Sequence, residues 1–241
     1  MKAEAKLVRK GRDVSLARLL DQARFHHRLQ EEHAEHLRKA GWTDRHARTL
    51  LERIAKVEAA VQGAITARLE SKTNLARERA AQAQVRRFKR RLVEALDDLR
   101  ADRRIDVPTY KAMKESGPLF RSTPRMVEYL TSIAGVVERH DPLLAPYFAG
   151  ESASAELRAV LEELETAQAR QETGRSALPQ KTKEVYLAKA RLLMSLEQLY
   201  RMAQIAYAEE PVVLRSFRLR RLAPTKRRSS DATKVAEETV G

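Results

Sequence analysis

Long stretches of this chain contain neither glycine nor proline, and that constrains its fold more than any other feature. Of 241 residues, eight are Gly and eight are Pro, and the segment from Asp44 to Arg104 holds no Pro and a single Gly, Gly63. Gly and Pro are the residues that terminate helices, so their absence over such lengths predicts a mainly helical chain. No strand alternation or internal repeat competes with that pattern.

Apolar spacing divides the helical sequence into segments. From Ser15 to Ala40, Leu16, Leu20, Ala23, His27, Gln30, Ala34 and Leu37 recur at steps of four and three, which puts them on one stripe of a first helix. Gly41 is placed to stop it, and Thr43 and Asp44 suit the cap and first turn of the next helix. That helix carries Leu50, Ile54, Val57, Val61 and Ile65, and then Val85, Phe88, Leu92, Leu96 and Leu99. A continuous helix over residues 44–104 would be about 90 Å long. Ser71, Thr73 and Asn74 are all able to cap, so a break or kink is expected near residues 71–74, with a continuous coiled-coil-like helix as the alternative.

Beyond residue 104, Pro108, Gly117 and Pro118 mark a connector. Pro124 after Ser122 and Thr123 opens a helix to about Arg139, with Leu130, Ile133 and Val137 inward. After HDPLLAPYFAGES comes a helix over residues 157–172, which TGRSALP is expected to break before a last helix over 180–208. The fold class that follows is all-α, an antiparallel bundle of five or six helices. In outline, residues 1–14 form a basic tail, 15–210 the bundle, 211–228 a basic arm and 229–241 a disordered tail. Within the bundle, a helical hairpin over 15–104 and a second half over 122–210 would be joined by 105–121.

Several chemistries lack the residues they need. There is no Cys, which removes disulfides, thiolate metal sites and cysteine nucleophiles. Every Gly stands alone, so neither a P-loop nor a dinucleotide fingerprint is present, and GxSxG, HExxH and the Glu-x-x-His of carboxylate-bridged metal sites do not occur. The reading is of a non-enzymatic protein with no cofactor. Five of the six His lie between His26 and His46; His33 and His36, one turn apart, are weak metal candidates, while His27 and Gln30 read as polar core residues that set helix register. Tyr186, Tyr200 and Tyr207 share a heptad position on the last helix, as an interface or stacking stripe or as a core margin with hydroxyls at the surface.

Charge supplies the main functional signal. The formal net charge is +14, yet residues 105–210 are slightly acidic and 211–228 carry seven cations with no carboxylate. A second concentration is RRFKRR, with Arg86, Arg87, Lys89, Arg90 and Arg91 around Phe88. The arm contributes Arg215, Arg218, Arg220, Arg221, Lys226, Arg227 and Arg228, and Val212, Val213, Leu214 and Phe217 are expected to dock part of it. Dense Arg and Lys attract polyanions by counterion release without reading sequence. The expected function is that of a helical scaffold or adaptor contacting a polyanion, most plausibly nucleic acid. The alternatives are a helix-mediated assembly component, as a homo-oligomer or with partner helices, and a peripheral binder of anionic membranes. No segment reaches the roughly 20 apolar residues of a membrane span, and no secretory signal is visible, so a cytoplasmic location is expected.

Overall fold

In a computed structural model, which describes residues 2–114 and 122–220, the fold is all-α with bundle packing. The helices are α1 (Lys2–Arg12), α2 (Leu16–Glu32), α3 (Ala34–Lys39), α4 (Asp44–Ala101), α5 (Val107–Lys114), α6 (Thr123–Arg139), α7 (Asp141–Leu144), α8 (Ala153–Ala206) and α9 (Pro211–Ser216). A 3-10 turn over Ala145–Phe148 precedes α8. Among the described residues no helix is long and apolar enough to cross a membrane. Contacts divide the chain into two compact units, Met1–Ile65 with Gln180–Gly241, and Thr66–Pro179. The divisions fall within α4 and α8 and not in the 105–121 connector.

The first unit is built on Leu19, Ala23 and Leu29 of α2, Leu37 of α3, Leu50, Ile54 and Val57 of α4, and Leu192, Leu196, Leu199 and Ala203 of α8. The α2 stripe differs from the expected one. Leu19, Ala23, His26 and Gln30 point inward, while His27 is only half-buried and Ala34 is exposed. Polar bonds set this register: the Gln30 amide oxygen accepts from the Trp42 indole at 2.7 Å, and both His26 ring nitrogens meet carbonyl oxygens. His33, at φ −113° and ψ 21°, interrupts the single helix expected over 15–40 and resets its phase. At the end of α3, Gly41 takes φ +98°, and the bonds from Gly41 N–H to Arg38 and from Trp42 N–H to Leu37 close the helix as the sequence suggests.

Residues 2–12 are helical, not a tail. Gly11 makes this possible, since a Cβ there would lie 1.8 Å from the Tyr186 carbonyl oxygen, so α1 lies against the backbone of α8. Ion pairs from Lys10 to Glu197 (2.6 Å) and from Lys183 to Glu4 (2.8 Å) hold the same contact. Apolar periodicity does not register a helix docked by one glycine and two ion pairs.

In the second unit, Val85, Phe88, Leu92, Leu96 and Leu99 are fully buried, as their spacing requires. They meet Met113 of α5, Met126, Leu130, Ile133 and Val137 of α6, Phe148, and Leu157 and Leu164 of α8. Ser152 caps α8, its hydroxyl accepting from Ala155 N–H at 3.0 Å. Asp141 braces that cap, accepting from Ser154 N–H at 3.0 Å and from the hydroxyls of Ser152 and Ser154. Burial pushes the Asp141 carboxyl up, but these donors together hold it below its ordinary value.

Two expected breaks are absent, at 71–74 in α4 and at 173–179 in α8. The Thr73 hydroxyl bonds back to the Leu69 carbonyl at 3.1 Å, and Asn74 donates to the Arg170 carbonyl at 3.1 Å, so the capping groups are used without ending the helix. In α8, Thr173 and Ser176 bond back to Ala169 and Thr173. Gly174 admits the Asn74 side chain, whose nitrogen would be 3.2 Å from a Cβ there. Pro179 sits inside α8 and removes one helical donor, at the residue where the second unit ends.

Candidate nucleic-acid interface

The RRFKRR segment lies on α4 in the second unit, and the helix sorts its cations. Phe88 is fully buried, which turns its neighbours to different faces. Lys89 is half-buried with its ammonium 5.2 Å from the centre of the Tyr129 ring, and burial lowers its pKa from the usual lysine value. Arg91 lies 5.0 Å from the Phe148 ring centre and pairs with Glu156. The five cations are thereby divided: Arg86, Arg87 and Arg90 are exposed, whereas Lys89 packs on Tyr129 and Arg91 is engaged by Phe148 and Glu156. The Tyr129 hydroxyl in turn donates to the Met113 carbonyl at 2.6 Å, and burial pushes its pKa up to about 12.

Continuity of α4 through residues 71–74 creates a larger feature that the expected break conceals. Arg68, Lys72, Arg79, Arg86 and Arg90 are separated by 4, 7, 7 and 4 residues and all are exposed. At 3.6 residues per turn they fall within a sector about 40° wide, over a rise of about 33 Å. None forms an ion pair among the described residues; Arg86 makes one long contact, 3.5 Å, with Gln82. Between Arg68 and Arg91 the chain has nine cations and two carboxylates. Glu78 turns away, accepting from the Thr123 hydroxyl, and Glu70 projects from the opposite side of the helix. The spacing of Lys72, Arg79 and Arg86 at two heptads is visible in the sequence, but it reads as a stripe only if the helix is unbroken.

The described part of the basic arm, residues 211–220, belongs to the first unit. Its docking rests on Phe217, which is fully buried and stacks on Tyr207 with ring centres 5.9 Å apart. His26 Nε2 is 3.0 Å from the Phe217 carbonyl oxygen. The expected contribution of Val212 is absent, for it is 76% exposed, and Val213 and Leu214 are half-buried. Arg215, Arg218 and Arg220 are exposed and form no ion pair among the described residues. Arg221, Lys226, Arg227 and Arg228 lie outside the described residues.

The tyrosine positions are unequal. Tyr207 is buried with its hydroxyl 2.8 Å from His33 Nδ1, while Tyr186 and Tyr200 are half-buried, and Lys189 lies 5.6 Å from the centre of the Tyr186 ring. This is core-margin packing for Tyr207, which leaves it no exposed ring for a partner. His33 and His36 both pack on the Tyr207 ring, with centres at 5.3 and 5.7 Å. Among the described residues no group of three or more His, Asp or Glu is placed to hold a metal ion. In comparisons with known proteins, the chain matches no protein-family model, no curated protein and no solved structure.

Proposed function

We propose that this protein is a non-enzymatic helical scaffold that docks on nucleic acid through its phosphates. The observation that carries the reading is the line of Arg68, Lys72, Arg79, Arg86 and Arg90 on one exposed face of α4. Guanidinium groups suit the role because they stay charged and bind phosphate oxygens in pairs. A line of about 33 Å matches roughly one turn of duplex, about 34 Å, so cations at its two ends can meet phosphates of one strand a turn apart. The stripe has no aromatic side chain among its five positions, and it suits backbone contact without base readout. Cations of the 211–228 arm add a second, separate source of attraction.

Fluorescence anisotropy with a labelled duplex of about 30 base pairs tests the reading, because phosphate contacts make affinity fall steeply as salt rises from about 50 to 200 mM. Saturable binding that weakens over that range, equally for unrelated sequences, is the expected result. No binding at the low-salt end contradicts it. Co-sedimentation with anionic vesicles in place of duplex binding would favour a membrane surface, and a salt-resistant oligomer without duplex binding would favour protein assembly.

A further inference from the structure

A separate cavity of about 510 Å³ lies in the first unit, between α2 and the arm, within the size range of small-molecule sites. Its wall combines three kinds of group. Arg215, Arg218 and Arg220 bring three guanidiniums without ion-pair partners among the described residues. Phe25 is 45% exposed at the same cavity, on a helix whose Leu19, Ala23 and Leu29 are buried, and its ring stands at 88° to that of His26 with centres 5.4 Å apart. On the same wall the exposed Asp21 carboxylate forms no ion pair among the described residues.

Each group asks for a different part of a ligand. Three guanidiniums fit a phosphate. An exposed ring offers a stacking surface to a planar heterocycle. An exposed carboxylate accepts from an exocyclic amine or a sugar hydroxyl. Inorganic phosphate satisfies only the first of these. We therefore infer that the cleft formed by Phe25, Asp21 and the three arm arginines is a binding site for a phosphorylated nucleoside. The shared chemistry, one base and its phosphate, occurs both in free nucleotides and in single-stranded nucleic acid. His26 Nε2, 3.0 Å from the Phe217 carbonyl oxygen, links α2 to the arm at this cavity. The site uses no cation of the α4 stripe, so it stands or falls independently of duplex binding.

Competition against a fluorescent ATP analogue, with the full chain, tests the assignment. ATP is expected to compete at least about tenfold better than either adenosine or inorganic triphosphate, because each of these lacks one half of the recognition. Phe25→Ala, and separately Arg218→Ala with Arg220→Ala, should each weaken ATP by about tenfold with an unchanged melting temperature, the positions being on the surface. Arg79→Ala with Arg86→Ala and Arg90→Ala should leave ATP affinity untouched. A short single strand that competes better than ATP assigns the site to nucleic acid, and the reverse order assigns it to a free nucleotide. No saturable binding of the ATP analogue, equal competition by inorganic triphosphate, or full affinity in Phe25→Ala overturns the proposal.

Discussion

The two basic regions are built on opposite plans. On α4 the cations ride a regular helix whose inward face, Val85, Phe88 and Leu92, is fully buried, so their spacing is set by helix geometry. In the arm, Arg215, Arg218 and Arg220 cluster within six residues around a single buried anchor, Phe217. A line of charges suits an extended polyanion, and a cluster beside an exposed ring suits a compact one. Net charge alone does not separate these cases. What separates them is where the hydrophobic neighbours go.

The largest effect should come from the anchor. Phe217→Ala empties a site packed between Tyr207, His26 and His33, and is expected to cost about 3 to 5 kcal/mol of stability where the unit unfolds as one. Chemical denaturation measures that loss. Hydrogen exchange should show the arm opening while residues 81–99 of α4 keep their protection. Equal loss of protection in α4 would break the contrast drawn between the two regions.

Gly11→Ala forces a methyl onto the Tyr186 carbonyl, so α1 must shift; about 1 to 3 kcal/mol of destabilisation and fast exchange in residues 2–12 are expected. A smaller effect distinguishes neighbouring cations of one run. Arg91→Ala removes the contacts to Glu156 and Phe148 and should lower stability by about 1 kcal/mol with little change in duplex binding. Arg90→Ala should do the reverse, leaving the melting temperature intact and weakening the duplex complex. Both substitutions delete one charge from RRFKRR, so identical behaviour would refute the division between packing and presented cations.

Asp141→Ala should cost about 1 kcal/mol by unbracing the Ser152 cap of α8. Because donors lower the Asp141 pKa in the folded state, its contribution is complete above the ordinary carboxylate range and is lost as pH falls through the depressed folded value. The difference in stability between wild type and Asp141→Ala should therefore shrink on acidification, as melting curves across that range would show.

Much of the fold was legible because apolar periodicity records local packing. Val85 to Leu99, the α6 start at Ser122 and Thr123, and the Gly41 stop all follow from neighbours in sequence. The failures depend on distant partners. Whether Asn74 caps its own helix or reaches the Arg170 carbonyl is decided by α8, and Lys89 and Arg91 turn inward because Tyr129 and Phe148 are there to receive them. Gly11 lies unremarked in the expected tail until its close approach to Tyr186 is seen. The candidate interface was consequently half visible: Arg86 and Arg90 stood out as part of a run, whereas Arg68, Lys72 and Arg79 gained meaning only from the continuity of α4.

The salt dependence of duplex binding tests the central claim most directly. Each phosphate contact contributes about 0.9 to the slope of log affinity against log salt, so Arg79→Ala with Arg86→Ala and Arg90→Ala should flatten it by about 2.7. Arg215→Ala with Arg218→Ala and Arg220→Ala, which keeps the Phe217 anchor, measures the share of the arm in parallel. A flattened slope in the triple variant, with its melting temperature unchanged, is the predicted result. An unchanged slope in that variant would contradict the assignment of the α4 stripe as a phosphate-binding face.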